Sequence, residues 1–96
     1  MVGFLDPEEA RRMMAAGAIV VDVRTQEEWD QGHAANSILM PLHELAAHFE
    51  QLPQDVPVLL VCRSGARSGQ ATAYLRNQGL DAHNLGPWQR NPDHQG

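Results

Sequence analysis

The feature that most constrains the fold of this chain is the alternation of short apolar runs with helices whose ends are marked in the sequence. Residues 18–23 and 58–61 are mostly apolar, and neither run shows the polar alternation of a strand with one face in water. Such runs are typical of strands buried on both faces of a parallel sheet. Strands and helices in this order predict an α/β domain with a small, mostly parallel central sheet flanked by helices.

Helix boundaries are marked most clearly in the first third of the chain. Asp6 is an N-cap acceptor and Pro7 fits the first helical position, so a helix is predicted from there to Gly17. Thr25, followed three residues later by Glu28, forms a capping box that opens a short second helix. The later elements are predicted as a brief strand over 37–40, a helix over 43–51, a strand over 58–61, a helix over 68–77 and a last strand over 82–85.

Length and charge limit the classes of protein to consider. The 96 residues fit one domain, which we predict over residues 1–88, followed by a flexible polar tail over residues 89–96. Seven basic residues, all arginines, against twelve acidic residues give a net charge of −5, which offers no electrostatic footprint for nucleic acid or an anionic membrane. Neither a transmembrane run nor a signal segment is visible, so a cytoplasmic location is expected, although a chain trimmed of a leader would look the same.

The most informative segment is the polar loop over residues 62–68, with the sequence CRSGARS, which follows the second buried run. It lies at the carboxyl edge of the predicted sheet, where ligands bind in open α/β domains. The start of the next helix, the curl that Gly65 permits, and the charges of Arg63 and Arg67 all favour an anion there. Together they favour the thiolate form of Cys62, which is a nucleophile at neutral pH.

A free cysteine at the end of a strand is often no more than a small buried apolar residue. That interpretation accounts for Cys62 alone, but not for the two arginines, two serines and one glycine that follow it directly. An anion-binding cysteine loop is therefore the favoured hypothesis. His43 and His48 lack a metal-ligand spacing, and neither a metal nor another cofactor is predicted.

The loop resembles the active-site loop of single-domain rhodaneses, the thiosulfate and persulfide sulfurtransferases. Supporting matches cover nearly the whole chain up to Trp88: Asp22-Val23-Arg24, Glu28-Trp29, Gly32-His33 and Pro41 before the loop, then Ala73, Leu75, Gly79 and Asn84-Leu85-Gly86 after it. The resemblance implies a rhodanese-like three-layer domain.

The resemblance also implies roles for individual residues. Cys62 would accept a sulfane sulfur as a persulfide, and Arg63 and Arg67 would hold an anionic donor such as thiosulfate. The implied substrate-binding set is Arg63, Ser64, Gly65, Ala66, Arg67 and Ser68, and the implied scaffold residues are Asp22, Arg24, Glu28 and His33. Arg24 and Glu28 are expected to form an ion pair. Because there is no second cysteine, the sulfur acceptor must be external: cyanide in an assay, a thiol, or a protein cysteine.

Several positions near the loop depart from the family pattern or stay open. Leu39 stands where the family often has asparagine, and Gly86-Pro87 replaces the common Gly-Gly, which restricts the pocket wall. Trp29 is predicted to anchor its helix in the core. Trp88 either caps the core or lines the mouth of the pocket, and the sequence does not say whether Arg90 and the tail contact the pocket.

Two other functions stay open at this point. Cysteine-dependent phosphatases and arsenate reductases are related in fold, and the phosphatases place five residues between cysteine and arginine. Here only four residues separate Cys62 from Arg67, which makes a smaller cradle. A non-catalytic rhodanese-like module that binds a partner is the other alternative, although inactive members typically lose the cysteine. Sulfurtransferase activity is therefore the favoured prediction.

Overall fold

The computed structural model describes residues 3–93, and its centre is a four-stranded sheet in the order β2-β1-β3-β4. The strands are β1 (Ile19–Asp22), β2 (Ser37–Leu39), β3 (Val58–Cys62) and β4 (Ala82–Pro87), and every neighbouring pair is parallel. The register places Asp22 beside Val61, so the carboxyl ends of β1 and β3 lie next to each other. Parallel pairing of strands buried on both faces is what the two apolar runs predict.

Four α-helices flank the sheet: α1 (Pro7–Ala15) precedes β1, and α2 (Gln26–Asp30), α3 (Leu45–His48) and α4 (Ala66–Asn77) connect successive strands. The Asp6 carboxylate accepts the N–H of Glu8 at 3.0 Å and so caps α1. Both hydrogen bonds of the capping box between Thr25 and Glu28 are formed at the start of α2. The two helix starts predicted from capping signals are therefore confirmed. Short 3-10 turns precede α3 (Leu42–Glu44), follow it (Phe49–Gln51) and follow β4 (Trp88–Arg90).

The two faces of the sheet bury separate apolar clusters, which makes three layers. One cluster joins Val21 and Leu60 of the sheet to Leu45 of α3 and Leu75 of α4. The other joins sheet residues to α1; its buried members are Ala10, Val20, Leu59, Val61 and Leu85. The predicted α/β fold with helices on both faces is thus confirmed. Within residues 3–93, no helix has the length and apolar character needed to cross a membrane.

The boundaries around the polar loop differ from the predicted ones. Cys62 is the last residue of β3, because it pairs with Pro87 of a longer β4, and α4 begins at Ala66. Only residues 63–65 connect strand and helix. Gly65 caps α4 with φ +100°, a conformation that favours glycine, and this starts the helix two residues earlier than predicted. The predicted helix over 43–51 is also shorter, since it is α3 flanked by two 3-10 turns.

The chain beyond residue 88 does not leave the domain where the sequence prediction placed the start of a flexible tail. The Arg90 guanidinium donates to the carbonyl oxygens of Leu85 and Leu5, both at 2.8 Å. Asn91 is buried and donates to the side chain of Asn36 at 2.9 Å. Arg90 and Asn91 are therefore packed, because their polar groups bond to Leu5, Leu85 and Asn36 in other parts of the domain. The last three residues of the predicted tail, 94–96, lie outside the described residues.

Candidate active site

Cys62 lies at the carboxyl edge of the sheet, as the loop sequence predicts, and its residue surface is fully buried. Donors at the start of α4 reach its sulfur, among them the N–H of Gly65 at 3.0 Å and the Ser68 hydroxyl at 3.4 Å. Burial by itself raises the pKa of the thiol. Hydrogen bonds from the Ser68 hydroxyl and from the N–H groups of Ser68, Gly65 and Ser64 outweigh burial, and the pKa of Cys62 lies below its ordinary value. The site therefore favours a thiolate.

The backbone at the start of α4 forms the cradle around this sulfur. Gly65 is buried, and a Cβ there would overlap the ring of Phe4, so the position excludes other residues on steric as well as conformational grounds. The turn presents free N–H groups at the N-terminus of a 12-residue helix, where the helix dipole also favours an anion. Ala66 and Ser64 complete the turn, with the Ala66 N–H directed at the Ser64 hydroxyl oxygen at 3.4 Å.

Arg67 is held by an acidic partner from a distant part of the chain. Its two terminal nitrogens donate to the two carboxylate oxygens of Glu28 at 2.7 and 2.9 Å. Glu28 also completes the capping box of α2, so this pair ties α2 to the first turn of α4. The hydrogen bonds from Arg67 are the largest cause that lowers the pKa of Glu28 to about 2. The predicted pair of Glu28 with Arg24 is wrong: the Glu28 carboxylate pairs with Arg67.

The lowered pKa of Glu28 predicts that the fold loses part of its stability in acid. A carboxylate with a folded-state pKa of about 2, below its ordinary 4.5, stabilises the fold fully above pH 4.5 and loses this contribution as the pH falls toward 2. Glu28→Gln keeps the capping geometry but removes the charge. We expect the difference in unfolding free energy between the parent chain and Glu28→Gln to shrink steadily over this pH range in urea titrations.

The matched control for this test is Glu27→Gln, which removes an exposed carboxylate from the same turn of α2. A difference between the parent chain and Glu28→Gln that stays constant from pH 6 to pH 2, within the scatter of the control, contradicts the role of the Glu28 charge.

Arg24 is buried and pairs with Asp22 instead. Its guanidinium donates to both carboxylate oxygens of Asp22 at 2.8 to 3.0 Å and to the carbonyl oxygen of Gly32 at 2.8 Å. The ring of Trp88 lies against it, with its centroid 4.8 Å from the guanidinium carbon. Trp88 also packs on the apolar cluster of the α1 face. These contacts of Trp88 support the first of its two predicted roles, which is to cap the core, and add a contact with Arg24.

Arg63 differs from every other arginine of the chain. Six arginines have a hydrogen bond or an ion pair to a described group: Arg11, Arg12, Arg24, Arg67, Arg76 and Arg90. Among residues 3–93, Arg63 has neither, and its side chain is exposed directly after Cys62. The positive charge available to a ligand at the loop is therefore that of Arg63, whereas Arg67 is already neutralised by Glu28.

His33 and Trp29 lie together on the outside of the α2 region. Their rings stack with centroids 3.5 Å apart, and the His33 Nδ1 is 2.8 Å from the Trp29 carbonyl oxygen. His33 is exposed, and Trp29 is only half-buried. Trp29 is therefore no core anchor, contrary to the prediction. Of the predicted scaffold set, Glu28 contacts the loop directly, whereas no contact of His33 with the loop is found within residues 3–93.

Sequence reasoning assigned no role at the site to Asn84 or Phe4. Asn84 donates to the carbonyl oxygen of Gly65 at 3.1 Å and accepts from the Ser68 hydroxyl at 2.7 Å. The signal that could have indicated Asn84 is a polar residue inside the last predicted strand, close to the sheet edge that carries the loop. Phe4 packs against Gly65 and Gly86, and no local pattern near the N-terminus indicates that contact. In the described part of the chain, no cluster of three or more metal-ligating side chains is present.

Comparison with known proteins agrees with this geometry. The profile of the rhodanese-like domain matches residues 6–86. The chain is 38% identical over 81 residues to a sulfurtransferase of Allochromatium vinosum, across 82% of this chain and 76% of that one. It is 36% identical over 76 residues to thiosulfate sulfurtransferase GlpE of Pseudomonas entomophila, across 79% and 70% of the two chains. The crystal structure of a rhodanese-related protein from Thermoplasma volcanium superposes with a TM-score of 0.81 at 28% identity, over 94% of this chain and 90% of that one. The fold, the cysteine loop at the sheet edge and these matches together show that the chain belongs to the family of rhodanese-like domains and is similar to sulfurtransferases within it.

Proposed function

We propose that this chain transfers a sulfane sulfur from an anionic donor such as thiosulfate, or from a persulfide, to an external thiophilic acceptor through a persulfide on Cys62. The observation that carries the proposal is the Cys62 sulfur, which receives the Gly65 N–H at 3.0 Å and the Ser68 hydroxyl at 3.4 Å beside the exposed Arg63. These groups favour a negatively charged sulfur and attract a negatively charged donor to it. The thiosulfate sulfurtransferase GlpE of Pseudomonas entomophila, a relative at 36% identity, supports thiosulfate as the donor to test first.

The reaction consists of two sulfur transfers. The Cys62 thiolate attacks the outer sulfur of thiosulfate, the sulfur–sulfur bond of the donor breaks, and sulfite leaves with the bonding electron pair. The acceptor then attacks the terminal sulfur of the Cys62 persulfide and releases the thiolate. Cyanide becomes thiocyanate in this step, and a thiol acceptor becomes a persulfide. The backbone N–H groups of Ser64, Gly65 and Ser68 would stabilise the charged sulfur in both states, much as they would an oxyanion. Such a two-step exchange gives ping-pong kinetics.

The two arginines of the loop have different roles in this proposal. Arg63 is free to contact the sulfonate oxygens of the donor, because it has no partner among residues 3–93. Arg67, whose charge is neutralised by Glu28, fixes the first turn of α4. Donor binding is therefore assigned mainly to Arg63, and Ser64 and Ala66 contribute to the shape of the turn that carries it.

Arg63→Ala is expected to lower kcat/KM for thiosulfate by about tenfold or more, mostly through KM, since a hydrogen bond to a charged group contributes about 1.5–3 kcal/mol. The dependence on cyanide concentration is expected to change little, because the second transfer does not need the sulfonate contact. Steady-state rates at varied thiosulfate and cyanide measure both. Arg11→Ala, which removes an exposed arginine of α1, is the matched control. An unchanged thiosulfate dependence in Arg63→Ala would remove Arg63 from the donor site.

The sulfur acceptor must be a separate molecule in this proposal. Cys62 is the only cysteine of the chain, so no second thiol can resolve the persulfide as an internal disulfide. A cyanide assay replaces the natural acceptor, which would be a small thiol or a protein cysteine. A reducing compartment such as the cytoplasm would keep Cys62 in the thiol form that the first step needs.

The experiment that tests the proposal is the intact mass of the purified protein after thiosulfate and then after cyanide. A gain of one sulfur atom on Cys62, followed by its loss with cyanide, is the expected result. A folded protein with free Cys62 that gains no sulfur from thiosulfate or from a small-molecule persulfide contradicts the proposal. That outcome favours a partner-binding module, and hydrolysis of phosphate esters and reduction of arsenate would be tested next.

A further inference from the structure

Asn84 of β4 connects two residues of the active-site loop with Gly86 of its own strand, and the proposed reaction gives it no role. Its side-chain nitrogen donates to the Gly65 carbonyl oxygen at 3.1 Å. Its side-chain oxygen accepts from the Ser68 hydroxyl at 2.7 Å and from the Gly86 N–H at 3.0 Å. These partners fix the orientation of the amide, because a backbone N–H can only donate and a carbonyl oxygen can only accept. Gly65 and Ser68 are both hydrogen-bonded to the Cys62 sulfur, so Asn84 contacts two of the residues that hold it.

The Ser68 hydroxyl has one proton and two acceptors within reach. Its oxygen is 2.7 Å from the Asn84 side-chain oxygen and 3.4 Å from the Cys62 sulfur. A neutral thiol is a weak acceptor, so the hydroxyl then donates to Asn84. A charged sulfur is a strong acceptor, and the hydroxyl turns to it. The Asn84 oxygen keeps the Gly86 N–H when this happens, so the rotation of the hydroxyl leaves no oxygen without a hydrogen bond. The lost bond between Ser68 and Asn84 is offset by the stronger bond to the charged sulfur.

We propose that Asn84 is a positioning residue for Cys62, because its side-chain amide holds Gly65 in place and releases the Ser68 hydroxyl to the sulfur whenever the sulfur is charged. The inference rests on the proposed function, in which the sulfur is charged first as a thiolate and then as a persulfide. Asn84 itself touches neither the donor nor the transferred sulfur in this assignment.

The charged groups already present around Cys62 are left unaltered by the variants that test this proposal. Arg63 and Arg67 belong to its own loop and helix, and Glu28 of α2 pairs with Arg67. At the end of β1 the neighbouring charges are Asp22 and its partner Arg24, and after β4 the charge of Arg90 is held against the Leu85 carbonyl oxygen. His83 precedes Asn84 on β4 and so lies on the opposite face of the sheet.

The test is the pH dependence of Cys62 alkylation by iodoacetamide, a neutral reagent, in Asn84→Asp. The carboxylate has nearly the same shape, but it holds the Ser68 proton more strongly and cannot donate to the Gly65 carbonyl oxygen while it is charged. It also adds a like charge separated from the sulfur by one hydroxyl group. We expect the apparent pKa of Cys62 to rise by about 1 pH unit or more. The control is Asn77→Asp, the same substitution at an exposed position near the end of α4.

A double-mutant cycle with Ser68→Ala separates this mechanism from a general effect of charge. Ser68 lies inside α4, where alanine is well tolerated, and its hydroxyl is the link between Asn84 and the sulfur. In the Ser68→Ala background, Asn84→Asp is expected to raise the Cys62 pKa by less than half as much as in the parent chain. Equal shifts in both backgrounds, or no shift in the parent chain, overturn the proposal.

A measurement on the parent chain covers the case in which Asn84→Asp does not fold. The side-chain amide resonances of Asn84 are expected to move with pH, with a midpoint equal to the pKa found by alkylation, and to stop moving in Cys62→Ala. Resonances that stay constant through that pKa overturn the proposal. Alkylation needs no sulfur donor, so a chain that shows these effects but gains no sulfur from thiosulfate contradicts the proposed function and not the role of Asn84.

Discussion

Cys62→Ser is expected to abolish sulfur transfer and to leave the domain folded. A serine hydroxyl is not ionised at neutral pH and is a far weaker nucleophile than a cradled thiolate, so turnover with thiosulfate and cyanide should fall by about a thousandfold or more. Cys62 is buried, but serine is close in size, and its hydroxyl oxygen can accept the Gly65 N–H that now reaches the sulfur at 3.0 Å. The measurements are thiocyanate production and thermal unfolding of the same preparation.

The control for Cys62→Ser is Gln70→Ala, which changes an exposed residue of α4 outside the loop. It should retain the turnover of the parent chain. Turnover in folded Cys62→Ser that is comparable with this control rules out the persulfide mechanism. Loss of turnover together with loss of the unfolding transition would show a structural role for Cys62, and the intact-mass experiment on the parent chain would then decide the chemistry.

The parts of the fold that the sequence predicts are those that depend on local backbone chemistry. Asp6 and Thr25 cap their helices because their side chains satisfy N–H groups within three residues, and no distant contact is needed. The apolar runs over 18–23 and 58–61 predict buried parallel strands because no polar face is present. The position of Cys62 at the carboxyl edge of the sheet then follows from the order of strand, loop and helix.

Ion pairs could not be assigned in the same way. Arg24 and Glu28 are four residues apart, which favours a local pair, but the bidentate partner of Glu28 is Arg67, 39 residues away. Arg24 instead reaches Asp22, two residues earlier, because alternate residues at the end of an extended strand lie on the same side. The same limit applies to Asn84 and to Arg90, whose partners Gly65 and Leu5 are brought close only by the packed sheet.

The buried pair of Asp22 and Arg24 supports the sheet edge that carries Cys62, and Arg24→Ala is expected to destabilise the domain strongly. It leaves the Asp22 carboxylate buried without its cation, which typically costs about 3–5 kcal/mol. For a domain of this size, the melting temperature should fall by roughly 12 °C or more. Thermal and urea unfolding measure both quantities. The control is Arg12→Ala, in which an exposed arginine of α1 loses its pair with Glu9 and little change is expected.

A double variant shows whether the loss comes from the unpaired charge. Asp22→Leu combined with Arg24→Met removes both charges and keeps similar apolar volume, and such replacements of buried pairs are often neutral or stabilising. We expect the double variant to recover most of the stability that Arg24→Ala loses. If it is as unstable as Arg24→Ala, the charge pair is not what stabilises this edge, and the important interactions are the others that the double variant lacks: the bond from the Arg24 N–H to the Asp22 carboxylate and the contacts of Arg24 with the Gly32 carbonyl oxygen and the Trp88 ring. A carboxylate left buried without its cation must lower the free energy of unfolding. If Arg24→Ala is no less stable than Arg12→Ala, the pair therefore does not stabilise this edge of the sheet.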